Sequence, residues 1–308
     1  MTHPATSRPP LASTDPDAQA APPPPPRFAV VDAVTRALAE DLTPIGDVTS
    51  ALIPAELAAA ASFVARESGV LAGTDCAEEA FRQIDATVEW QWYAADGARL
   101  ESAQVIATVT GPLRAILTAE RTALNFLSHL SGIATLTAQF VEAAGSEGGT
   151  ARVWDTRKTT PGLRTLQKAA VRAGGGANHR GNLSDWVLIK DNHLALLGVE
   201  GAVAEARRLW PGRTVHLECD RIDQVREGLV AGVDALLLDN MTPDQARICV
   251  DEADEHVRLH GGRRPLLEVS GGVRLDTIGA LAATGVDLVS VGAITNSAPV
   301  LDIGLDIT

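Results

Sequence analysis

Residues 152–190 carry Arg152, Arg157, Lys158, Arg164, Lys168, Arg172, Arg180 and Lys190 against only Asp155 and Asp185, a local excess of six positive charges. The chain around them is acidic, with 26 Lys plus Arg against 39 Asp plus Glu and a formal net charge of −13. A basic concentration in that setting predicts a site for a multiply charged anion. The three lysines of the chain, Lys158, Lys168 and Lys190, all fall in this segment. Lys158 and Lys190 follow apolar runs that read as strands, where a compact ammonium serves better than another planar guanidinium. Arg164, Lys168 and Arg172 have near-helical spacing and read as the solvated basic face of a helix.

Other polar groups recur at the same kind of position. Glu218 and Asp239 also follow apolar runs, and such acids bind Mg²⁺ or sugar hydroxyls, stabilise a cationic transition state, or pair with a structural arginine. Ser270-Gly271-Gly272 and Gly292-Ala293 end two successive runs. They read as bare backbone N–H cradles for a phosphate or as ordinary tight turns. His179 and Arg180, preceded by Gly174-Gly175-Gly176, lie in a glycine-rich loop and suggest a carboxylate clamp, whereas His129 and His193 read as satisfied structural histidines.

Serial alternation must position these groups. Short apolar strands at 153–154, 187–189, 215–217, 235–238, 266–269 and 288–291 are separated by helical patterns over 199–209, 222–231, 243–259 and 276–283. This predicts a parallel α/β barrel, whose chemistry sits at the strand C-termini. Upstream, residues 28–41 have helical spacing, with Val31, Val34 and Leu38 on one face. Runs at 61–65, 70–71, 87–93 and 105–110, the last two joined by an Asp96-Gly97 turn, predict an antiparallel sheet. Residues 119–140 read as one or two helices, broken at Ser131-Gly132. The domain reading is therefore a tail over 1–26, a sheet-and-helix domain over 27–130 to which residues 299–308 return, and a barrel over 131–298.

Composition narrows the function classes. With 45% hydrophobic and 21% charged residues the chain is globular. It lacks the ~18 consecutive apolar residues of a membrane span. Its negative charge argues against nucleic acid and anionic lipid. Three widely spaced cysteines, Cys76, Cys219 and Cys249, form neither a disulfide framework nor a zinc pattern, which suits a reducing cytoplasm, as does the lack of an export-signal pattern at the N-terminus. Residues 1–26 hold nine of the 17 prolines and predict a disordered leader rather than a docking ligand. No serine-elbow, P-loop or dinucleotide fingerprint is present.

The strings Asp155-Thr-Arg-Lys-Thr-Thr-Pro-Gly-Leu-Arg164, Gly174-Gly-Gly-Ala-Asn-His-Arg180, Leu188-Ile-Lys-Asp-Asn-His193, Leu237-Leu-Asp-Asn-Met241, Ser270-Gly-Gly272, Ser290-Val-Gly-Ala293 and Leu301-Asp-Ile-Gly-Leu-Asp-Ile307 resemble the quinolinate phosphoribosyltransferase family. Glu40-Asp41, Gly46-Asp47-Val-Thr49, Gly69-Val-Leu-Ala-Gly73, Glu120-Arg-Thr-Ala-Leu-Asn125 and Ser131-Gly-Ile-Ala-Thr135 extend the resemblance to about residues 30–308. It implies an amino-terminal α/β sandwich with an antiparallel sheet and an incomplete seven-stranded α/β barrel, the type II phosphoribosyltransferase fold. It also implies a homodimer with shared active sites, with a hexamer as a further assembly. By the same resemblance Arg121 reaches the neighbouring subunit's site. Arg157, His179, Arg180 and Lys190 hold the two carboxylates of quinolinate, and Lys158 and Lys190 face phosphoribosyl pyrophosphate. Glu218 and Asp239 sit by the ribose and a Mg²⁺ cofactor, while Ser270, Gly271, Gly272, Gly292 and Ala293 surround the 5′-phosphate.

Two positions depart from the family's usual pattern. His216 stands where relatives often have the first acid of a Glu-Val-Glu-Val strand, and Asn296 stands where they often have histidine, implying weaker phosphate affinity. The complete Arg157, His179, Arg180 and Lys190 set argues against the molybdenum-associated branch of the superfamily, and the full complement of catalytic groups argues against a scaffold without turnover.

Overall fold

In the computed structural model, which describes residues 23–307, chain order runs α1 (Arg27–Leu42), β1 (Ala58–Ala65), β2 (Gly69–Val70), α2 (Thr74–Ile84), β3 (Glu89–Trp92), β4 (Arg99–Leu100), β5 (Val105–Pro112) and α3 (Leu113–Gly145). It continues through β6 (Arg152–Trp154), α4 (Arg164–Ala173), β7 (Val187–Ile189), α5 (Asp191–Leu209), β8 (Val215–Cys219), α6 (Ile222–Ala231) and β9 (Ala235–Asp239). The remaining elements are α7 (Pro243–His260), β10 (Leu266–Ser270), α8 (Ile278–Ala282), β11 (Leu288–Ser290), α9 (Ala293–Asn296) and β12 (Ile303–Ile307). The described residues cluster into two units. One holds residues up to 136, 160–175 and those from 298 on; the other holds 137–159 and 176–297. Residues 160–175, read from sequence as part of the barrel, thus group with the amino-terminal unit. The proline-rich reading of residues 1–26 falls, up to residue 22, outside the described residues.

In the first unit an antiparallel sheet runs in the order β12-β1-β5-β3. Phe63 of β1 stacks on Trp90 of β3 with centroids 5.1 Å apart, and Phe81 of α2 meets Trp90 edge-on at 5.0 Å, so α2 packs against the sheet. Val30, Ala33, Val34 and Leu38 form the buried stripe of α1, a turn-by-turn spacing that places Val30 inside rather than Val31.

The structure departs from two local expectations. Ser131-Gly132 does not break a helix: α3 is continuous over 33 residues. A Cβ on Gly132 would lie 2.0 Å from the Pro299 carbonyl oxygen, while the Ser131 hydroxyl accepts from Ala72 N at 3.0 Å and donates to Ala72 O at 3.1 Å. The pair of small residues lets backbone approach the helix. Nor does the Asp96-Gly97 turn join the 87–93 and 105–110 runs directly: it lies between β3 and β4, and the Asp96 carboxylate accepts from the N–H groups of Gly73 and Thr74, both at 3.1 Å, at the start of α2.

The second unit is built on a parallel sheet in the order β6-β11-β10-β9-β8-β7. A single parallel bridge, Trp154 to Ala177, adds a seventh chain segment beside β6. No ladder among the described residues joins β6 to β7, so the barrel is incomplete, with the seventh strand reduced to one bridge. In α5 the expected helix starts earlier, at Asp191, and kinks at Gly198, whose φ is +65°.

Candidate active site

The C-terminal ends of the parallel strands converge on one cavity of about 590 Å³. Arg157 and Lys158 follow β6, His179 and Arg180 follow the bridge at Ala177, Lys190 follows β7, Glu218 lies within β8, Asp239 ends β9, and Ser270 ends β10 ahead of Gly271 and Gly272. All ten of these residues line the cavity. Gly292 stands beside it: a Cβ there would meet Lys158 Cδ at 3.1 Å, so the missing side chain leaves room for the lysine stem. Ala293 begins α9 and is not among the lining residues. Arg121 belongs to the first unit, exposed on α3, and does not line this cavity.

Each cation is set by local structure. Asp155, fully buried after β6, accepts from His179 N and from Asn178 Nδ2, both at 2.8 Å, and so holds the loop that carries His179 and Arg180. Thr295 Oγ1 donates to Lys158 O at 2.9 Å, and Lys158 N donates to Thr156 Oγ1 at 3.0 Å. His193 Nδ1 accepts from Lys190 N at 3.0 Å and caps α5, which is the structural role read for it. His129, the other histidine read as structural, meets Gln167 Nε2 at 2.8 Å. Burial, reinforced by the neighbouring Arg157 charge, lowers the Arg180 guanidinium pKa below its ordinary value.

The acids divide by environment. Glu218 pairs with the Lys190 ammonium. Asp239 accepts from Asn240 Nδ2 at 2.8 Å, and Asn240 itself has a left-handed φ of +55°. Its side chain crowds the glycine loop, since a Cβ on Gly271, where φ is +90°, would sit 2.3 Å from Asn240 Oδ1. Glycine is therefore required at 271 both by conformation and by close approach.

Sequence reasoning missed Glu268, Ser290, Thr156 and Asn240, which also line the cavity. Glu268 was findable. An acid in the middle of the apolar β10 run must either be buried with partners or interrupt the strand. It is fully buried, accepts from Ser290 Oγ, and lies 3.5 Å from His179 Nε2. The solvated-helix reading also fails for Lys168, which is buried on α4 with only 6% of its surface exposed.

Arginines and lysines at this density can bind two anionic substrates, and the acids can face a developing positive charge or a divalent cation. Covalent thiol chemistry is not offered: burial raises the thiol pKa of Cys219 and Cys249, the latter to about 11. Among the described residues no helix is long and apolar enough to cross a membrane.

Comparison with known proteins gives the same architecture. The quinolinate phosphoribosyl transferase C-terminal domain family matches residues 133–306, and the corresponding N-terminal domain family matches residues 47–131. The carboxylating nicotinate-nucleotide pyrophosphorylase of Mycobacterium leprae is 43% identical over 282 residues, which cover 90% of this chain and 96% of that protein. A mitochondrial decarboxylating quinolinate phosphoribosyltransferase of Nicotiana tabacum is 38% identical over 302 residues, covering 93% and 84%. The solved nicotinate-nucleotide pyrophosphorylase of Francisella tularensis superposes with a TM-score of 0.86 at 37% identity, covering 92% of this chain and 97% of that one. With both domains matched in order and such identity sustained over nearly the whole length, the chain belongs to the quinolinate phosphoribosyl transferase family.

Proposed function

We propose that this enzyme transfers the phosphoribosyl group of phosphoribosyl pyrophosphate to quinolinate, giving nicotinate mononucleotide, pyrophosphate and CO₂ in NAD biosynthesis. The observation that carries the reading is the convergence of Arg157, Lys158, Arg180 and Lys190 with Glu218, Asp239 and the Gly271-Gly272 loop in one cavity of a chain whose net charge is −13. Family membership supports it.

In this mechanism Arg157, His179, Arg180 and Lys190 hold the two ring carboxylates, and Lys158 with Lys190 faces phosphoribosyl pyrophosphate. The backbone N–H groups of the Ser270-Gly271-Gly272 and Gly292-Ala293 turns take the 5′-phosphate. The ring nitrogen forms a bond to the anomeric carbon as the bond to pyrophosphate breaks, and the leaving group takes that electron pair. Positive charge gathers on the ribose at this point, where the Glu218 and Asp239 carboxylates lower its energy electrostatically. The C–CO₂ bond beside the cationic nitrogen then breaks. Its electrons pass toward the ring, CO₂ leaves, and a proton replaces it.

The two acids present oxygen donors, which fit a hard cation held by one or two carboxylates together with substrate phosphates. Mg²⁺ bound there would supply charge neutralisation of the departing pyrophosphate. We further infer a homodimer in which Arg121 serves the partner's cavity, and residence in a reducing cytoplasm, consistent with three cysteines that are all buried and free.

The test is direct. Purified protein given quinolinate, phosphoribosyl pyrophosphate and Mg²⁺ should release nicotinate mononucleotide and CO₂ in equal amounts, stop on chelation, and resume when Mg²⁺ is restored. Absence of the mononucleotide under these conditions overturns the assignment.

A further inference from the structure

Beneath the cavity, on the inward face of β8, His216 lies two residues before Glu218 and points the same way, because side chains alternate along a strand. It is 3% exposed and does not line the cavity itself. Its Nδ1 has no hydrogen-bond partner among the described residues, and neither has Oε2 of the fully buried Glu268. The two orphaned atoms face each other across 4.0 Å, too far for a hydrogen bond. Two buried polar atoms left unsatisfied at one point are costly unless something bridges them.

A third donor converges on the same point. His179 Nε2 is 3.5 Å from Glu268 Oε1, and one ligand atom each from His179, His216 and Glu268 lie within 4.8 Å of one another. Donors about 2.0–2.1 Å from a tetrahedral ion stand roughly 3.3 Å apart, so small rotations of the side chains would close the set. Ser290 Oγ donates to Glu268, orienting the carboxylate as an outer partner does in metal sites, and Trp186 stacks on the His216 ring at 5.0 Å.

We propose that His179, His216 and Glu268 form a binding site for a borderline divalent metal such as Zn²⁺ or Co²⁺, distinct from the Mg²⁺ expected at Glu218 and Asp239. Two imidazoles and one carboxylate suit such ions rather than Mg²⁺, which prefers oxygen. His179 and Glu268 line the cavity, so the fourth position opens into it and takes water or an anion. Because His179 is shared with the carboxylate clamp, metal here and quinolinate compete.

Cobalt alone, titrated into chelator-stripped full-length protein without substrates, should give the intense visible bands of four-coordinate Co²⁺ at one ion per chain, bleached by Zn²⁺. His216→Leu and Glu268→Gln, with folding checked by circular dichroism and melting, should each weaken cobalt binding at least tenfold. Glu218→Gln should leave the bands unchanged. If His216→Leu fails to fold, Glu268→Gln carries the test. Absent bands in the wild-type protein, bands retained in the folded ligand variants, or bands lost in Glu218→Gln overturn the proposal. The readout needs no turnover, so it stands or falls separately from the proposed reaction.

Discussion

Replacing Gly271 and Gly272 one at a time with alanine separates two requirements that the glycine loop imposes. Both residues have left-handed backbones, with φ of +90° and +61°. Each alanine therefore costs ~1–2 kcal/mol of conformational strain. Their surroundings differ. An added Cβ at 272 has only Asn240 Oδ1 near it, at 4.0 Å, whereas at 271 it would meet Asn240 Oδ1 at 2.3 Å and Asn240 N at 3.0 Å. The side-chain oxygen can swing away, but the backbone nitrogen cannot, because it donates to Ser270 O at 2.8 Å. Overpacking of that kind adds ~1–3 kcal/mol. Gly272→Ala should thus lower Tm by roughly 2–8 °C and Gly271→Ala by about twice that or more, taking ~2–4 °C per kcal/mol. Displacing Asn240 also removes its hydrogen bond to Asp239, so Gly271→Ala alone should depress kcat along with affinity for phosphoribosyl pyrophosphate. Differential scanning fluorimetry and steady-state kinetics on both variants decide the matter. Equal losses, or a Gly271→Ala enzyme with wild-type kcat, would refute the coupling of the loop to Asp239 through Asn240.

Gly132→Ala, which gains ~1 kcal/mol of helix propensity, should nevertheless destabilise, because its Cβ would clash with the Pro299 carbonyl; an unchanged or raised melting temperature refutes the close approach. Burial lowers the His129 pKa below the ordinary value near 6.5, so the unfolded chain takes up that proton first as pH falls. Its contribution is intact above that pH and is lost on acidification. His129→Gln should accordingly lose less stability than wild type between pH 7.5 and 5.5, as read by urea melts at each pH. If Lys190 and Arg121 have the roles proposed above, Lys190→Ala and Arg121→Ala should each reduce kcat/KM tenfold or more, since each would then remove a contact worth ~1.5–3 kcal/mol to an anion. Mixing and re-equilibrating these two variants should restore activity toward about one quarter of wild type if Arg121 serves the partner's cavity, because half the dimers are then mixed and each has one intact site. No recovery despite proven subunit exchange places Arg121 elsewhere.

The groups that the sequence revealed share one property: each stands where an apolar run stops. Arg157, Lys158, Lys190, Glu218, Asp239 and Ser270 were legible because a polar residue at a strand end interrupts a pattern. Glu268 and His216 lie inside their strands, where alternation aims them at the barrel interior, so neither marks a strand end: the signal of Glu268 is an acid within an apolar run, and that of His216 is its departure from the family's usual pattern. Asn240 gives no composition signal because its role is a left-handed turn against Gly271. The continuity of α3 was hidden for a related reason: Ser131-Gly132 is a break signal locally, and only the pairing of Ser131 with Ala72 and the approach of Pro299 reverse it. Lys168 read as solvent-facing from charge spacing alone, since its burial depends on residues distant in sequence.

The antiparallel sheet of the first unit has a temporal consequence. β1 pairs with β12 so that Ala61 faces Ile307, and the intervening chain includes the whole of the parallel barrel. During synthesis at ~5–20 residues per second, β1 therefore emerges tens of seconds before its neighbour exists. Until then it presents an open edge with unpaired N–H and C=O groups, the kind of template on which strands from other chains add. The unit encoded first cannot be the unit finished first. Strands β7 to β11 pair with their neighbours in sequence and can assemble while the older half waits, whereas β6 waits for β11 as β1 waits for β12, which makes the interval before these last strands appear the period when a nascent chain is most open to misassociation and a chaperone most useful.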